Sequence, residues 1–259
     1  MTSTEKNGND MGESMFKQVM ENWVNPEVQS RQKLGLPPEP MNLHAVQVLF
    51  SIDGGKTVRI NGEVKAVMKV KLKKGVSVEE GDPVFAKDVR EIVFGELLEE
   101  DRDFGHITMV RVSDKWHITF SFLYEKSKAQ DALNIGTQFL ASGKDDLDKN
   151  RLGPAVNSLF IASENIANAR LVLHPLEENA DLKKTKKHST RKNVINRYSK
   201  IGQIIPREFA EAHNQLTKMR DVARYAADSG LDKQEILNIA KTLQSLSDDV
   251  RKMLLRTAD

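Results

Sequence analysis

The spacing of apolar residues changes once along this chain of 259 residues, and the change falls near Lys126. From Leu43 to Tyr124, apolar side chains recur at every second position in short stretches, the period of a strand with one buried face. Beyond Lys126 they recur at three and four, the period of a helix. Neither pattern can adopt the other geometry without burying its polar side. The chain is therefore expected to be α+β. An N-terminal antiparallel β-rich domain over residues 41–125 is followed by an antiparallel bundle of four or five helices over 127–258. Residues 1–13, rich in Ser, Thr, Asn, Gly and charge, read as a disordered tail, and 14–40 as a helix and linker.

Within the β-rich part, residues 44–52 predict a strand. Asp53-Gly54-Gly55-Lys56 predicts a hairpin into 57–60, and Asn61-Gly62 a second turn. Residues 64–72 alternate, with Lys65, Lys69, Lys71 and Lys73 towards solvent, so the turns imply a meander with one buried face. Val89, Ile92, Val93, Leu97 and Leu98 fit a short helix at least as well as a strand. Residues 104–112 and 115–124 predict another hairpin with Ser113-Asp114 at its tip. Upstream, Phe16, Val19, Met20 and Trp23 predict a short amphipathic helix ended by Asn25-Pro26, and residues 34–40 an extended linker.

In the helical part, Ala129, Leu133, Phe139 and Leu140 mark a first helix ending near Ser142-Gly143. Gly153-Pro154 opens a second, which His174-Pro175 ends. A charged stretch over 182–191 precedes a short helix at 194–201. Pro206 opens a long helix reaching about residue 228, and Asp232 starts the last one.

Composition excludes several function classes. There is no cysteine, so no disulfide, thiolate nucleophile or Cys-based zinc site. No apolar run approaches the ~20 residues of a membrane span, and residues 1–14 lack a signal-peptide core. A cytoplasmic setting without membrane contact is expected. The net charge of +2 divides unevenly. Residues 1–125 hold 16 Lys/Arg against 20 Asp/Glu, and residues 126–259 hold 23 against 17. The basic bias of the second half permits an acidic partner such as nucleic acid. His44, His106, His117, His174 and His213 show no metal-ligand spacing, although His106 and His117 could be cross-strand neighbours. No phosphate loop or nucleophile triad occurs, and no metal or cofactor is expected.

The segment Met219-Arg220-Asp221-Val222-Ala223-Arg224-Tyr225-Ala226 sets Arg220, Arg224 and Tyr225 on or beside an apolar helix stripe. A guanidinium at the edge of a core needs an anionic partner. Glu164, beside Ala162 and Ile166 on the second predicted helix, is the expected partner of Arg220. Removing one member of such a buried pair costs roughly 3–5 kcal/mol. The alternative for Arg220 and Asp221 is a phosphate-orienting Arg with a polar neighbour, in a composite site across a dimer. Tyr225 suits a packed ring better than a base, since a phenol with pKa near 10 is a poor base at neutral pH. Lys183, Lys184, Lys186, Lys187, His188, Arg191 and Lys192 form the densest basic run. They either track phosphates or make a solvated loop balanced by Glu177, Glu178 and Asp181.

Taken together, three features resemble the HEPN superfamily (higher eukaryotes and prokaryotes nucleotide-binding) over residues 127–257. They are the opening helix pair with Ala155-Val156 through Asn168-Ala169, the polar excursion containing Lys187-His188, and Leu216-x-x-Met219-Arg220-Asp221-x-Ala223-x-Tyr225. The resemblance implies a prokaryotic bundle that pairs into a homodimer through the last of these helices. It further implies either a metal-independent ribonuclease or a silent version that binds RNA, a nucleotide or a protein partner, in stress or phage defence. The ribonucleases carry a His five to seven positions after the Arg. Here those positions hold Tyr225, Ala226 and Ala227. The expected function is therefore non-catalytic binding and assembly. The alternatives are a ribonuclease using Arg220 and Asp221, with Tyr225 or His188 in place of the usual His, and a structural scaffold with no small ligand.

Overall fold

A computed structural model describes residues 12–36, 42–112, 114–176, 188–200, 204–225 and 230–255. The chain divides at Phe122/Leu123 into an N-terminal β-rich unit and a helical unit. Among the described residues no helix is long and apolar enough to cross a membrane.

In the first unit, helix α1 covers residues 12–33. Pro26 does not end it. Its middle turn, Met20–Val24, is wound as a π-turn in which the Asn25 amide donates to Met20 O, and Asn25–Lys33 continues with Pro26 in its first turn. Proline lacks an amide proton, and the wider turn shifts the hydrogen-bond ladder so that none is needed at that position. The Pro-rich residues 37–41 lie outside the described part, as do residues 1–11.

Strands β1 (Ala45–Phe50), β2 (Lys56–Ile60), β5 (Gly105–Val112) and β6 (Lys115–Ser121) form one antiparallel sheet, in the order β2-β1-β5-β6. Strands β3 (Ala66–Leu72) and β4 (Val89–Leu97) form a separate two-stranded sheet. The expected continuous meander is thus corrected: Asn61, at φ 53°, and the 3₁₀ turn Asn61–Glu63 carry the chain out of the first sheet. The segment with ambiguous period is strand β4. Val46, Val48, Ile107 and Met109 pack under α1 residues Val19 and Val24.

The opposite sheet face is also buried, but polar. Gln47 donates to Lys65 O at 2.8 Å and to Thr108 Oγ1 at 3.2 Å, and accepts from Arg59 at 3.1 Å. Arg59 in turn grips the buried Asp101, which holds its guanidinium above the ordinary arginine range. Gly95 of β4 meets Thr119 so closely that an added Cβ would lie 2.9 Å from Oγ1. The ladder sets His106 opposite Ser121 and His117 opposite Val110, so the two histidines are not cross-strand neighbours.

The helical unit contains α2 (Lys126–Asp148), α3 (Leu152–Val172), α4 (His188–Lys200), α5 (Arg207–Tyr225) and α6 (Lys233–Leu254). Helix α3 is central and packs against α2, α5 and α6. Asp232 caps α6 by accepting from the Gln234 amide at 2.8 Å. Helix α2 does not stop at Ser142-Gly143 but runs to Asp148, because Gly143 serves as a contact point rather than a cap. An added Cβ at Gly136 would lie 2.8 Å from Ile166 Cγ1 and 3.1 Å from its amide nitrogen, and one at Gly143 would lie 2.8 Å from Leu159. These two glycines, two helical turns apart, let the backbone of α2 sit directly on α3.

Gly136→Ala is expected to destabilise the helical unit by about 1–3 kcal/mol in urea unfolding. Overpacking against the Ile166 backbone outweighs the ~1 kcal/mol gain in helix propensity.

Candidate functional site

Helix α3 brings Phe160, Ser163 and Glu164 to one side at the three- and four-residue spacing of a single stripe. All three are buried. Helix α4 lies over this side, and α5 faces it. A reciprocal amide pair ties α4 to α5: Asn196 donates to Asn214 Oδ1 at 3.1 Å and Asn214 donates back at 2.8 Å.

Glu164 does not pair with Arg220. Its side chain is 3% exposed and engages His188 Nδ1 at 2.8 Å and Arg191 at 3.2 Å. The expected partner is corrected because α4 intervenes, reaching Glu164 from the first turn of that helix. The same carboxylate lines a small cleft with Ala167, Asn168, Leu171, Arg191 and Ile195.

Arg220 instead lays its guanidinium on the Phe160 ring, with Cζ 4.4 Å from the ring centroid. Such a contact satisfies the π-face of the cation and leaves its N–H edges for an acceptor. Among the described residues, no hydrogen bond or ion pair reaches those edges. Two imidazoles touch the same ring. His188 meets it edge-on at 5.4 Å, and His213 stacks on it at 5.5 Å.

His213 lies two helical turns before Arg220 on α5, hence on the same face. Ser163 Oγ bonds Phe160 O at 2.7 Å and His213 Nδ1 at 2.8 Å. A hydroxyl has one proton. If it goes to the carbonyl, Nδ1 carries the imidazole proton and donates to Ser163, and Nε2 is bare. Nε2 is buried without a partner among the described residues. Burial, then the nearby Lys192 and His188 charges, push this imidazole down to about 4. The Ser163–His213 contact has the length of a nucleophile–base pair, but both residues are 0% exposed, so no substrate reaches them.

Asp221 is exposed, next to Arg220. Arg224 and Tyr225 end α5, and their side chains lie outside the described residues. Lys183, Lys184, Lys186 and Lys187 also lie outside them. Arg191 and Lys192 are on α4, which carries Arg197 and Lys200 as well and no acidic residue. Arg220 thus lies on Phe160, Arg191 on the buried carboxylate of Glu164, and the Lys192 charge acts on His213. Among the described residues no group of His, Asp and Glu could hold a metal ion. Comparison with protein families, with characterised proteins and with solved structures finds no match to this chain.

Phe160, Ser163 and His213 escape a motif search. Phe160 and Ser163 look like ordinary core residues, and His213 is one histidine among several. The seven-residue spacing of His213 and Arg220 is the one signal that links them.

Glu164→Ala is expected to cost about 1–3 kcal/mol, less than a fully buried pair, because the half-exposed His188 and Arg191 become hydrated once released. Its melting temperature should fall more than that of Glu79→Ala on the surface.

His213 also makes stability depend on pH. Below about pH 6.5 the unfolded chain takes up a proton that the folded imidazole, at about 4, refuses. Stability present above pH 6.5 is thus lost as pH falls towards 4, by about 3 kcal/mol in total. Denaturant titrations of His213→Gln should show a correspondingly shallower decline over that window.

Proposed function

We propose that this chain is a cytoplasmic, non-catalytic, HEPN-like binding and assembly protein whose helical unit recognises the phosphates of RNA. One observation carries this: the Arg220 guanidinium is fixed on Phe160 with its donor edges unengaged among the described residues. A stacked guanidinium is pre-oriented, so a phosphate that docks on it forgoes little side-chain entropy. Lys192, near His213, and Arg191, on Glu164, add positive charge to the neighbouring helix. The sequence run Lys183, Lys184, Lys186 and Lys187 immediately precedes α4 in the chain and adds four more cations for phosphate contacts. The HEPN resemblance supports a bundle that pairs and binds nucleotides, and the absent His after Arg220 supports the non-catalytic form.

A metal-independent ribonuclease is the alternative, and a specific contact favours it. The buried Glu164 holds His188 Nδ1, while the His188 side chain is 52% exposed. A carboxylate that orients an accessible imidazole is the arrangement of a general acid–base pair, and His188 shares the Phe160 ring with Arg220.

Fluorescence anisotropy with a labelled single-stranded RNA tests both. Binding should weaken steeply with salt. Arg220→Ala with Lys192→Ala should reduce affinity by about 10–100-fold and lower the salt slope by nearly one per lost contact. No binding at low salt would reject RNA recognition. Cleavage in EDTA that His188→Ala abolishes would establish the ribonuclease instead.

A further inference from the structure

The four-stranded sheet has two edges, β2 and β6. An edge strand offers a row of unpaired amides and carbonyls, and proteins usually guard it with charge, proline, a bulge or a covering group. The β2 edge is guarded. Arg31 of α1 donates to Val58 O at 3.0 Å, with its guanidinium fixed by Glu27 at 2.8 Å and Glu63 at 2.6 Å.

The β6 edge is open along its backbone, while the Thr119 side chain packs beside Gly95 of β4. The Arg111 amide donates to His44 O, so alternate residues of β5 beginning there bond towards β1. Val112, Val110 and Thr108 therefore bond towards β6, where they face Lys115, His117 and Thr119. It follows that the amides and carbonyls of Trp116, Ile118 and Phe120 point away from the sheet. No described residue hydrogen-bonds to them. Phe120 and Phe122 stand 57% and 46% exposed on the same face, in mutual ring contact at 6.0 Å. Lys115 is the sole charged residue of the strand, and there is no proline.

We propose that β6 is the interface with a second copy of this chain, through antiparallel pairing of two β6 strands about Thr119. In that pairing Ile118 of one copy lies opposite Phe120 of the other, Trp116 opposite Phe122, and His117 opposite Ser121. Apolar side chains meet apolar ones and no like charges meet, so the strand complements itself. The guarded β2 edge supports a second copy over an open-ended stack. Each copy has one edge to offer, and a two-fold axis consumes it.

Light scattering and cross-linking test the pairing on the full chain. The wild type should have the mass of a dimer at high micromolar concentration. Phe120→Lys, a change at an exposed position, should give a monomer with an unchanged circular dichroism spectrum. The cysteine-free chain allows a single reporter. Thr119 would face its own counterpart at a non-hydrogen-bonded site, where ~4.5 Å between α-carbons suits a disulfide. Thr119→Cys should therefore form a disulfide-linked dimer under oxidation, and Thr57→Cys on β2 should not. A monomeric wild type overturns the proposal. So does a dimer that survives Phe120→Lys but is lost in Val222→Asp on α5, and so does equal or absent linking of the two cysteine variants.

Discussion

The contact of α2 on α3 governs the helical unit. Gly136 and Gly143 remove the side chains that would otherwise hold the two helices apart, so the α2 backbone rests on Ile166 and Leu159. Those residues share α3 with Phe160, Ser163 and Glu164. Close packing on one side of α3 thus fixes the side chains presented on the other, since interiors transmit small displacements rather than absorb them. The site has no loop of its own among the described residues. Its geometry derives from the seating of one helix.

The chemistry of that site turns on how one buried carboxylate is shared. A buried anion must be neutralised or hydrogen-bonded. Glu164 takes two partners from α4, and so docks that helix onto α3. Arg220 is left to find its stabilisation from an aromatic face. Had Glu164 bonded Arg220, the cation would be spent internally. Because it does not, the surface keeps a fixed positive group with donor capacity to spare. His213 fits the same logic. Surrounded by Lys192, His188 and apolar packing, it stays neutral and spares the site another buried charge.

Much of the fold was legible in the sequence. The single change of apolar period located both units, and local turn chemistry placed the β1–β2 hairpin, the ends of α3 and the cap of α6. Four features were not legible, each for a physical reason. The β3–β4 pair leaves the main sheet because of a backbone conformation at Asn61 that the alternation of β3 does not reveal. Gly143 looks like a helix terminator, since a glycine that ends a helix and one that admits a neighbour read alike. Pro26 looks like a stop, and the π-turn that accommodates it has no residue signature. Glu164 and Arg220 were both recognisable as groups needing partners. Their partners were not, because pairing depends on which helix comes between, and the stripes of α4 and α5 are equally compatible with α3.

The π-turn in α1 sets the angular phase of everything after it. One extra residue in that coil rotates the following stretch by about 100° relative to an unbroken α-helix. With it, Val28 lies over the sheet beside Trp23 and Phe16, and Arg31 reaches the Val58 carbonyl. The same residues wound as an unbroken α-helix would swing Arg31 off that flank. The winding of α1 thereby decides whether that carbonyl is covered. A protein with one closed flank can form a pair. The same sheet with both flanks bare would offer two rows of unpaired amides and carbonyls.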